Sequence, residues 1–258
     1  MIKNENYRKI SEAIIRFLQT EFKKRGKSKA IVGISGGIDS AITAFLCKKA
    51  NLDLYGLLLP YKKRGTKEAK EVIMALGIPK KRIIHIDITS IIDSQIKTLN
   101  RVINLDKISA GNILPRQRMI IQYAVASSVG GIVVGTQNLS EYILGYFTQY
   151  GDQACDICPL VGLWKTQICQ LAKFLKVPES IIKKKPHGDI WPRLTDEKDL
   201  GFEYKDADKI LYLLLIKKYS KDKVIKEYGF NHKLIDKILE RVDITNYKRA
   251  KISRFYFK

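Results

Sequence analysis

Apolar residues along the first half of the chain alternate between helical spacing and short continuous runs. Spacings of three and four positions over residues 10–22 predict an amphipathic helix that ends near Gly26. Continuous apolar runs predict four buried strands, at residues 30–34, 54–59, 82–87 and 131–135. Helical patterns fill the segments between and after these runs, at residues 41–48, 66–76, 92–99 and 113–129.

Strands that alternate with helices of this length predict right-handed crossovers and an α/β fold with a doubly wound parallel sheet flanked by helices, of the Rossmann-like kind. Ligands of such sheets bind at the carboxyl ends of the strands, so Gly33 and Gly135 are predicted to face one crevice. The chain has 258 residues, of which 45% are hydrophobic. This length predicts a single domain over 1–258, with a helical C-terminal extension from about residue 205 to residue 258.

A loop rich in glycine and serine joins the first predicted strand to the next helix. Its residues are Gly33, Ile34, Ser35, Gly36, Gly37, Ile38, Asp39 and Ser40. Adjacent glycines let the backbone approach phosphate oxygens, and the following helix directs free N–H groups and its positive dipole end at an anion. Asp39 is a candidate ligand for Mg²⁺. The loop lacks the lysine of a Walker motif and resembles the SGGxDS signature of PP-loop ATP pyrophosphatases.

A second polar cluster, GTQNLSE at residues 135–141, follows the fourth predicted strand. Glu141 is the candidate for a second carboxylate oxygen on Mg²⁺, an ion that prefers carboxylates, water and phosphates. The alternative is that Glu141 only begins a helix, where an acidic residue suits the helix dipole.

The net charge of the chain raises the question of whether nucleic acid is a partner. The chain has 47 basic and 26 acidic residues, a formal net charge of +21. The lysines occur in short scattered runs, so the charge is better explained by solvated helix ends and attraction of nucleotide substrates, and nucleic acid is not the expected partner. The start of the chain does not resemble a signal peptide and no run is long enough for a membrane span.

Four cysteines are too few for a disulfide scaffold in a chain of this length, which favours a reducing cytoplasm. Cys155 and Cys158 form a CxxC pair that allows a zinc or redox interpretation. That interpretation is weak because a second pair is absent from the sequence.

Further motifs make a family resemblance specific. They are GNILPRQR at 111–118, GTQNLSE at 135–141, LGYFTQYGD at 144–152, DICPL at 156–160, LWKTQICQLAKFLKVP at 163–178 and TDEKDLGFEY at 195–204. With the glycine loop, they resemble the ammonia-dependent NAD synthetases, which have the adenine nucleotide alpha hydrolase-like fold. The resemblance implies a ligase in NAD biosynthesis, a homodimer that amidates deamido-NAD with ammonia. ATP is the co-substrate, Mg²⁺ the cofactor, and AMP and pyrophosphate the other products.

The resemblance also implies roles for individual residues. ATP would be bound by the loop of residues 33–40 together with Thr136, Lys165 and His187. Deamido-NAD would be bound by Arg116, Gln149, Asp156, Tyr247 and Lys248. Asp39 and Glu141 would hold the metal, and the catalytic residues would be Lys165 and Asp152. Asp152 would lie near the ammonia site and take a proton from ammonium, although an aspartate after Gly151 is equally a turn residue.

Three of these positions depart from the family pattern. Gln149 replaces a usual lysine, His187 a small hydroxyl residue and Tyr247 a usual histidine. Loss of a lysine removes a charge-assisted hydrogen bond worth ~1.5 to 3 kcal/mol, so weaker dinucleotide binding is expected rather than lost chemistry.

Two other functions remain open from the sequence. The first is a PP-loop enzyme that modifies tRNA, which the net charge and the CxxC pair favour. The second is a nucleotide-binding homologue without catalysis, which the three departures favour. The intact loop, Glu141 and Lys165 argue against the second, and the lack of a spare segment for an RNA-binding domain argues against the first.

Overall fold

The computed structural model describes residues 6–62, 66–186 and 195–257. Within these ranges the chain forms a parallel sheet from four strands, β1 (Lys29–Gly33), β2 (Asp53–Leu58), β3 (Ile83–His85) and β4 (Ile132–Val133). The strand order is β3-β2-β1-β4. In the centre of the sheet, Ile31 lies opposite Tyr55 on one side and Val133 on the other.

Helices precede, connect and follow these strands. They are α1 (Tyr7–Lys24), α2 (Ile38–Lys49), α3 (Thr66–Leu76), α4 (Thr89–Leu99), α5 (Lys107–Val129), α6 (Leu139–Leu144), α7 (Lys165–Phe174), α8 (Glu179–Lys183), α9 (Asp196–Leu200), α10 (Tyr204–Leu211), α11 (Lys221–Tyr228) and α12 (His232–Ile244). A π-helical turn, Tyr212–Ile216, extends α10, and a 3₁₀ turn, Asn246–Arg249, follows α12. None of the described helices is long and apolar enough to cross a bilayer.

The two faces of the sheet are covered by different helices because neighbouring strand residues point in opposite directions. Val32 of β1 packs into a core with α1, α2, α3, α7 and α8. Ile31, its neighbour, packs on the opposite face with Ile92 of α4 and Leu114 of α5. The doubly wound α/β fold predicted from the sequence is therefore confirmed.

A third apolar cluster joins the C-terminal helices to α6 and to the residue that precedes α7. Ile210 and Leu211 of α10 and Ile235 of α12 pack with Leu144 at the end of α6 and Trp164 just before α7. Helices that follow the sheet in sequence therefore support the two helix starts that, as described below, carry Glu141 and Lys165.

Several element boundaries differ from the sequence prediction, and the structure gives a physical reason for two of them. Helix α5 begins at Lys107 rather than near residue 113, because the Asp106 side chain caps it by accepting a hydrogen bond from Ser109 N at 2.6 Å. Strand β4 ends at Val133 rather than at residue 135. The chain beyond it pairs with a later segment, with Gly135 N donating to Ile157 O at 2.8 Å.

Candidate active site

A cleft of about 520 Å³ lies at the carboxyl ends of the strands. The loop after β1, the end of β2 and the segment after β4 form its floor, so Gly33 and Gly135 both line it. The start of α7 and the chain around residues 146–152 form its walls. The cleft is therefore at the edge of the sheet where α/β proteins bind their ligands.

The glycine loop is held by its own serines. The hydroxyl groups of Ser35 and Ser40 lie 3.1 Å apart, Gly37 N donates to Ser35 Oγ at 3.2 Å, and Ser40 Oγ donates to Gly37 O at 2.9 Å. Gly36 has a φ of 78°, in the left-handed region that glycine adopts without strain. The loop then enters α2, whose cap residue Gly37 has no side chain between the first helical N–H groups and the cleft.

Lys165 lies at the centre of the charged groups in the cleft. Its Nζ is 2.6 Å from Asp39 Oδ2 and 3.1 Å from Glu141 Oε1, and the residue is only 4% exposed. Asp39 comes from the start of α2, Glu141 from α6 and Lys165 from the first position of α7. Three helix starts thus bring together the three charged residues that the sequence analysis assigned to metal and ATP.

The low exposure of this cluster changes its acid–base properties. Burial alone would lower the pKa of Lys165, but the carboxylates of Asp39 and Glu141 outweigh burial and raise it above its ordinary value. Burial raises the pKa of Glu141 to about 8, although the ammonium of Lys165 opposes that shift. Lys165 is therefore a permanent cation in the cleft.

Glu141 both caps its own helix and faces the cleft. Its Oε2 accepts a hydrogen bond from Asn138 N at 3.3 Å, which completes a capping box at the start of α6, while Oε1 faces Lys165. Asn138, which is fully buried, also donates from Nδ2 to Asp39 Oδ1 at 2.9 Å. Sequence reasoning missed Asn138, although an asparagine three positions before a glutamate is the signal of a capping box.

Asp152 likewise has both a structural contact and a place in the cleft. Its Oδ1 accepts a hydrogen bond from Thr148 N at 2.8 Å, as a turn residue does, and its side chain opens into the cleft. Desolvation by the surrounding walls raises the pKa of the Asp152 carboxyl, and the Thr148 N–H opposes that shift.

The other residues named from the sequence divide into two groups. Thr136 and Lys248 line the cleft, and Lys248 Nζ also donates to Gly145 O and Phe147 O at 2.9 and 2.8 Å. Four described residues lie outside the cleft lining: Arg116, Gln149, Asp156 and Tyr247. His187 falls outside the described residues.

The positions of these four residues are defined by their hydrogen bonds and exposure. Arg116 Nε donates to Gln149 O at 3.3 Å, so these two residues are neighbours. Asp156 Oδ2 accepts from Val133 N at 2.8 Å, which ties the segment after the cleft to β4. Tyr247 is 62% exposed in the last 3₁₀ turn.

The CxxC pair packs against the end of β4. A Cβ atom added to Gly135 would lie 2.5 Å from Cys155 Sγ, so this position requires glycine. Cys158 Sγ donates to Gln137 O at 3.3 Å. The described residues contain no group of three or more His, Cys, Asp or Glu side chains that could hold a metal ion. These contacts give the pair a packing role.

Comparison with known proteins places this arrangement in a family. The family model described as NAD synthase matches residues 10–252. The chain is 41% identical over 225 residues to the NH(3)-dependent NAD(+) synthetase of Pyrococcus horikoshii, which covers 86% of this chain and 84% of that protein. It is 39% identical over 227 residues to the synthetase of the same name from Fusobacterium nucleatum, with 86% of each chain covered.

Solved structures of synthetases are also similar to this chain. The NMN synthetase of Francisella tularensis superposes with a TM-score of 0.86 at 28% identity, covering 98% of this chain and 100% of that one. The NH3-dependent NAD synthetase of Campylobacter jejuni, in complex with nitrate ion, has a TM-score of 0.82 at 30% identity with the same coverage.

The parallel sheet, the glycine loop and the charged cleft define a nucleotide-binding α/β protein of the PP-loop type. Within that class, the chain belongs to the NAD synthase family. The family resemblance found in the sequence is therefore confirmed.

Proposed function

We propose that this protein is an ammonia-dependent NAD synthetase, a ligase that converts deamido-NAD, ATP and ammonia to NAD, AMP and pyrophosphate. The observation that carries the proposal is the buried contact of Lys165 with Asp39 and Glu141, beside a phosphate-binding loop in a chain of the NAD synthase family. The names of its relatives agree with this reaction.

The reaction needs activation of an acid. Ammonia cannot displace oxygen from a carboxylate at neutral pH, because the carboxylate lacks a good leaving group. The nicotinate carboxylate attacks the α-phosphorus of ATP and expels pyrophosphate, which forms an acyl-adenylate. Ammonia then attacks the carbonyl carbon and AMP leaves.

Negative charge develops on the departing pyrophosphate in the first step. Backbone N–H groups at the start of α2 and the ammonium of Lys165 would stabilise that charge, since both line the cleft. Because Lys165 is held by two carboxylates before any substrate binds, little reorganisation is needed at the moment of reaction.

The donor set also fits Mg²⁺. Asp39 and Glu141 present hard carboxylate oxygens within 3.1 Å of one nitrogen, and Mg²⁺ binds through one or two carboxylates with water and substrate phosphates. When bound, the ion would neutralise charge on the phosphates of ATP.

The assay that tests this proposal follows pyrophosphate and NAD together, with ATP, ammonium and deamido-NAD as substrates. Equal amounts of both products are expected. A tRNA pool replaces deamido-NAD in the control, since the alternative function is a PP-loop enzyme that acts on tRNA. Pyrophosphate release that depends on tRNA would overturn the proposal in favour of the tRNA enzyme. No release with tRNA, deamido-NAD or the mononucleotide acid would overturn it in favour of the non-catalytic homologue.

A second candidate substrate is the mononucleotide acid, whose amidation gives NMN. The observations in its favour are the overlap with the Francisella NMN synthetase and the substitutions Gln149 and Tyr247 at expected dinucleotide contacts. The ratio of kcat/KM for the two acids decides between them, and a ratio that favours deamido-NAD excludes the second candidate.

Substitution of Gln149 by lysine tests the expected dinucleotide contact. Gln149→Lys should lower the KM for deamido-NAD, because an ammonium restores a charge-assisted hydrogen bond to a phosphate oxygen. Steady-state kinetics at fixed ATP measure this, with Gln153→Lys as the control for added charge nearby. An unchanged or higher KM would count against a contact at this position.

Substitution of Asp152 tests the proton transfer. Asp152→Asn should keep the first step, measured as a single-turnover burst of pyrophosphate, but lose NAD formation at neutral pH, because the amide cannot accept a proton from ammonium. Higher pH supplies free ammonia and should restore NAD formation. In the wild type, the raised pKa of Asp152 means that activity falls on acidification at a higher pH than for an ordinary aspartate. Equal loss of both steps would assign Asp152 to the turn alone.

We infer that the protein acts as a homodimer in the cytoplasm. The family resemblance supports the dimer, and the four free cysteines, Cys47, Cys155, Cys158 and Cys169, suit a reducing compartment. Light scattering of the purified protein tests whether it is a dimer, and cell fractionation tests its cytoplasmic location.

A further inference from the structure

The side chain at the cap position of α7 accepts no hydrogen bond from the first N–H groups of the helix. That position is Trp164, and the Gln167 side chain accepts only from the N–H of Trp164 itself, at 2.7 Å. The first N–H groups of a helix have no partner within the helix and need acceptors from elsewhere. The helix also begins with Lys165, and a cation is unfavourable at the positive end of a helix dipole. This helix start therefore needs outside support.

Two distant residues provide it. Lys165 N donates to Ser140 Oγ at 2.8 Å, and Thr166 N donates to Asp208 Oδ2 at 2.9 Å. Ser140 Oγ in turn donates to Asp208 Oδ1 at 2.5 Å. These three hydrogen bonds are called here the Asp208 bridge. Both acceptor residues are buried, with Ser140 fully enclosed and Asp208 only 4% exposed.

The Asp208 bridge connects the helix starts that carry the charged residues of the cleft. Ser140 directly precedes Glu141 in α6, and Thr166 directly follows Lys165 in α7. Asp208 binds both segments through its two carboxylate oxygens and belongs to α10, which lies outside the sheet. Its negative charge also offsets the cation at the start of α7.

We propose that Asp208 is a positioning residue that sets the place of Lys165 relative to Glu141. This inference rests on the proposed function, since it assigns Asp208 to the same site. Asp208 acts through the backbone of α7 and through Ser140, so it is not a catalytic residue. Neither the glycine loop nor the family motifs used above point to it.

Substitution of Asp208 by asparagine keeps the side-chain volume but replaces one acceptor with a donor. We expect kcat to fall about 10- to 100-fold, because small displacements of a positioned group cost this much. The KM values for ATP and the acid should stay within about threefold of the wild type. The control is Asp206→Asn, on the same helix and more exposed, which should leave kcat unchanged.

A double-mutant cycle with Lys165→Met separates positioning from general stability. If Asp208 acts through Lys165, Asp208→Asn causes no further loss of kcat in the Lys165→Met protein. If the two substitutions lower kcat by factors that multiply in the double variant, the proposal is overturned. It is also overturned if the loss of kcat equals the unfolded fraction measured by circular dichroism. Ser140→Ala, which removes two of the three hydrogen bonds, serves as the second variant if Asp208→Asn does not fold.

The same cycle is also measured in urea unfolding, which needs no turnover. Non-additive shifts of the urea midpoint are expected, and additive shifts would overturn the bridge as a link between the two residues. A wild-type protein that turns over neither acid would refute the proposed function. Turnover by the wild type with equal kcat for Asp208→Asn would refute only the positioning role.

Discussion

Lys165→Met is expected to lower kcat by about 10²- to 10³-fold, the loss typical when a preorganised group that stabilises transition-state charge is removed. Methionine keeps much of the length of the side chain, so the cleft stays filled while the cation is lost. Asp39 and Glu141 would then face each other and ATP without a counter-ion between them. Single-turnover formation of pyrophosphate measures the affected step directly.

The matched control is Lys173→Met, an exposed lysine in the last turn of the same helix, which should keep wild-type activity. The melting temperature of Lys165→Met should fall more near pH 8 than near pH 5, because burial raises the pKa of Glu141 to about 8, so at pH 5 that carboxyl is protonated and needs no counter-ion. A kcat within threefold of the wild type would show that Lys165 serves folding alone.

Gly145→Ala is expected to cause the largest loss of stability. Gly145 ends α6 with a φ of 58°, and a methyl group there would overlap Cβ and Oγ1 of Thr245. Thr245 is buried and cannot move aside, since its Oγ1 donates to Arg241 O at 2.7 Å. The left-handed backbone costs about 1 to 2 kcal/mol for alanine. Overpacking adds about 1 to 3 kcal/mol.

Gly229→Ala separates these two costs. Gly229 ends α11 with a similar φ of 70°, but nothing lies within 4 Å of an added Cβ. Urea unfolding should therefore show only the backbone cost for Gly229→Ala and a free energy of unfolding lower by at least ~1 kcal/mol more for Gly145→Ala. Equal losses at the two glycines would contradict close packing between α6 and Thr245.

Much of the fold could be predicted from local patterns. The apolar run that became β1 and the glycine loop after it lie where the sequence placed them, because buried parallel strands are continuously apolar and the loop has its own signature. The start of α5 could not be found this way. Its first turn has no apolar face, with Ile108 73% exposed, and only the Asp106 cap marks it.

The candidate site was predictable where chemistry requires particular residue types. Asp39, Glu141 and Lys165 stood out as charged residues at expected loop and helix starts, and the structure brings them into contact. Asp208 did not stand out in the sequence, because a single aspartate in a helix is usually a surface residue. Only the tertiary fold places its carboxylate beneath α7, 68 positions from Ser140 in sequence.

The dependence of α7 on α10 has a consequence for synthesis of the protein. The chain through residue 200 contains the sheet, the glycine loop and all three charged residues of the cleft, yet the acceptors for the start of α7 are incomplete without Asp208. Because chains emerge from the ribosome N-terminal part first, the unfinished polypeptide carries a nucleotide cradle before its lysine is fixed. Lys165 should therefore reach its final place only when the last fifth of the chain has docked.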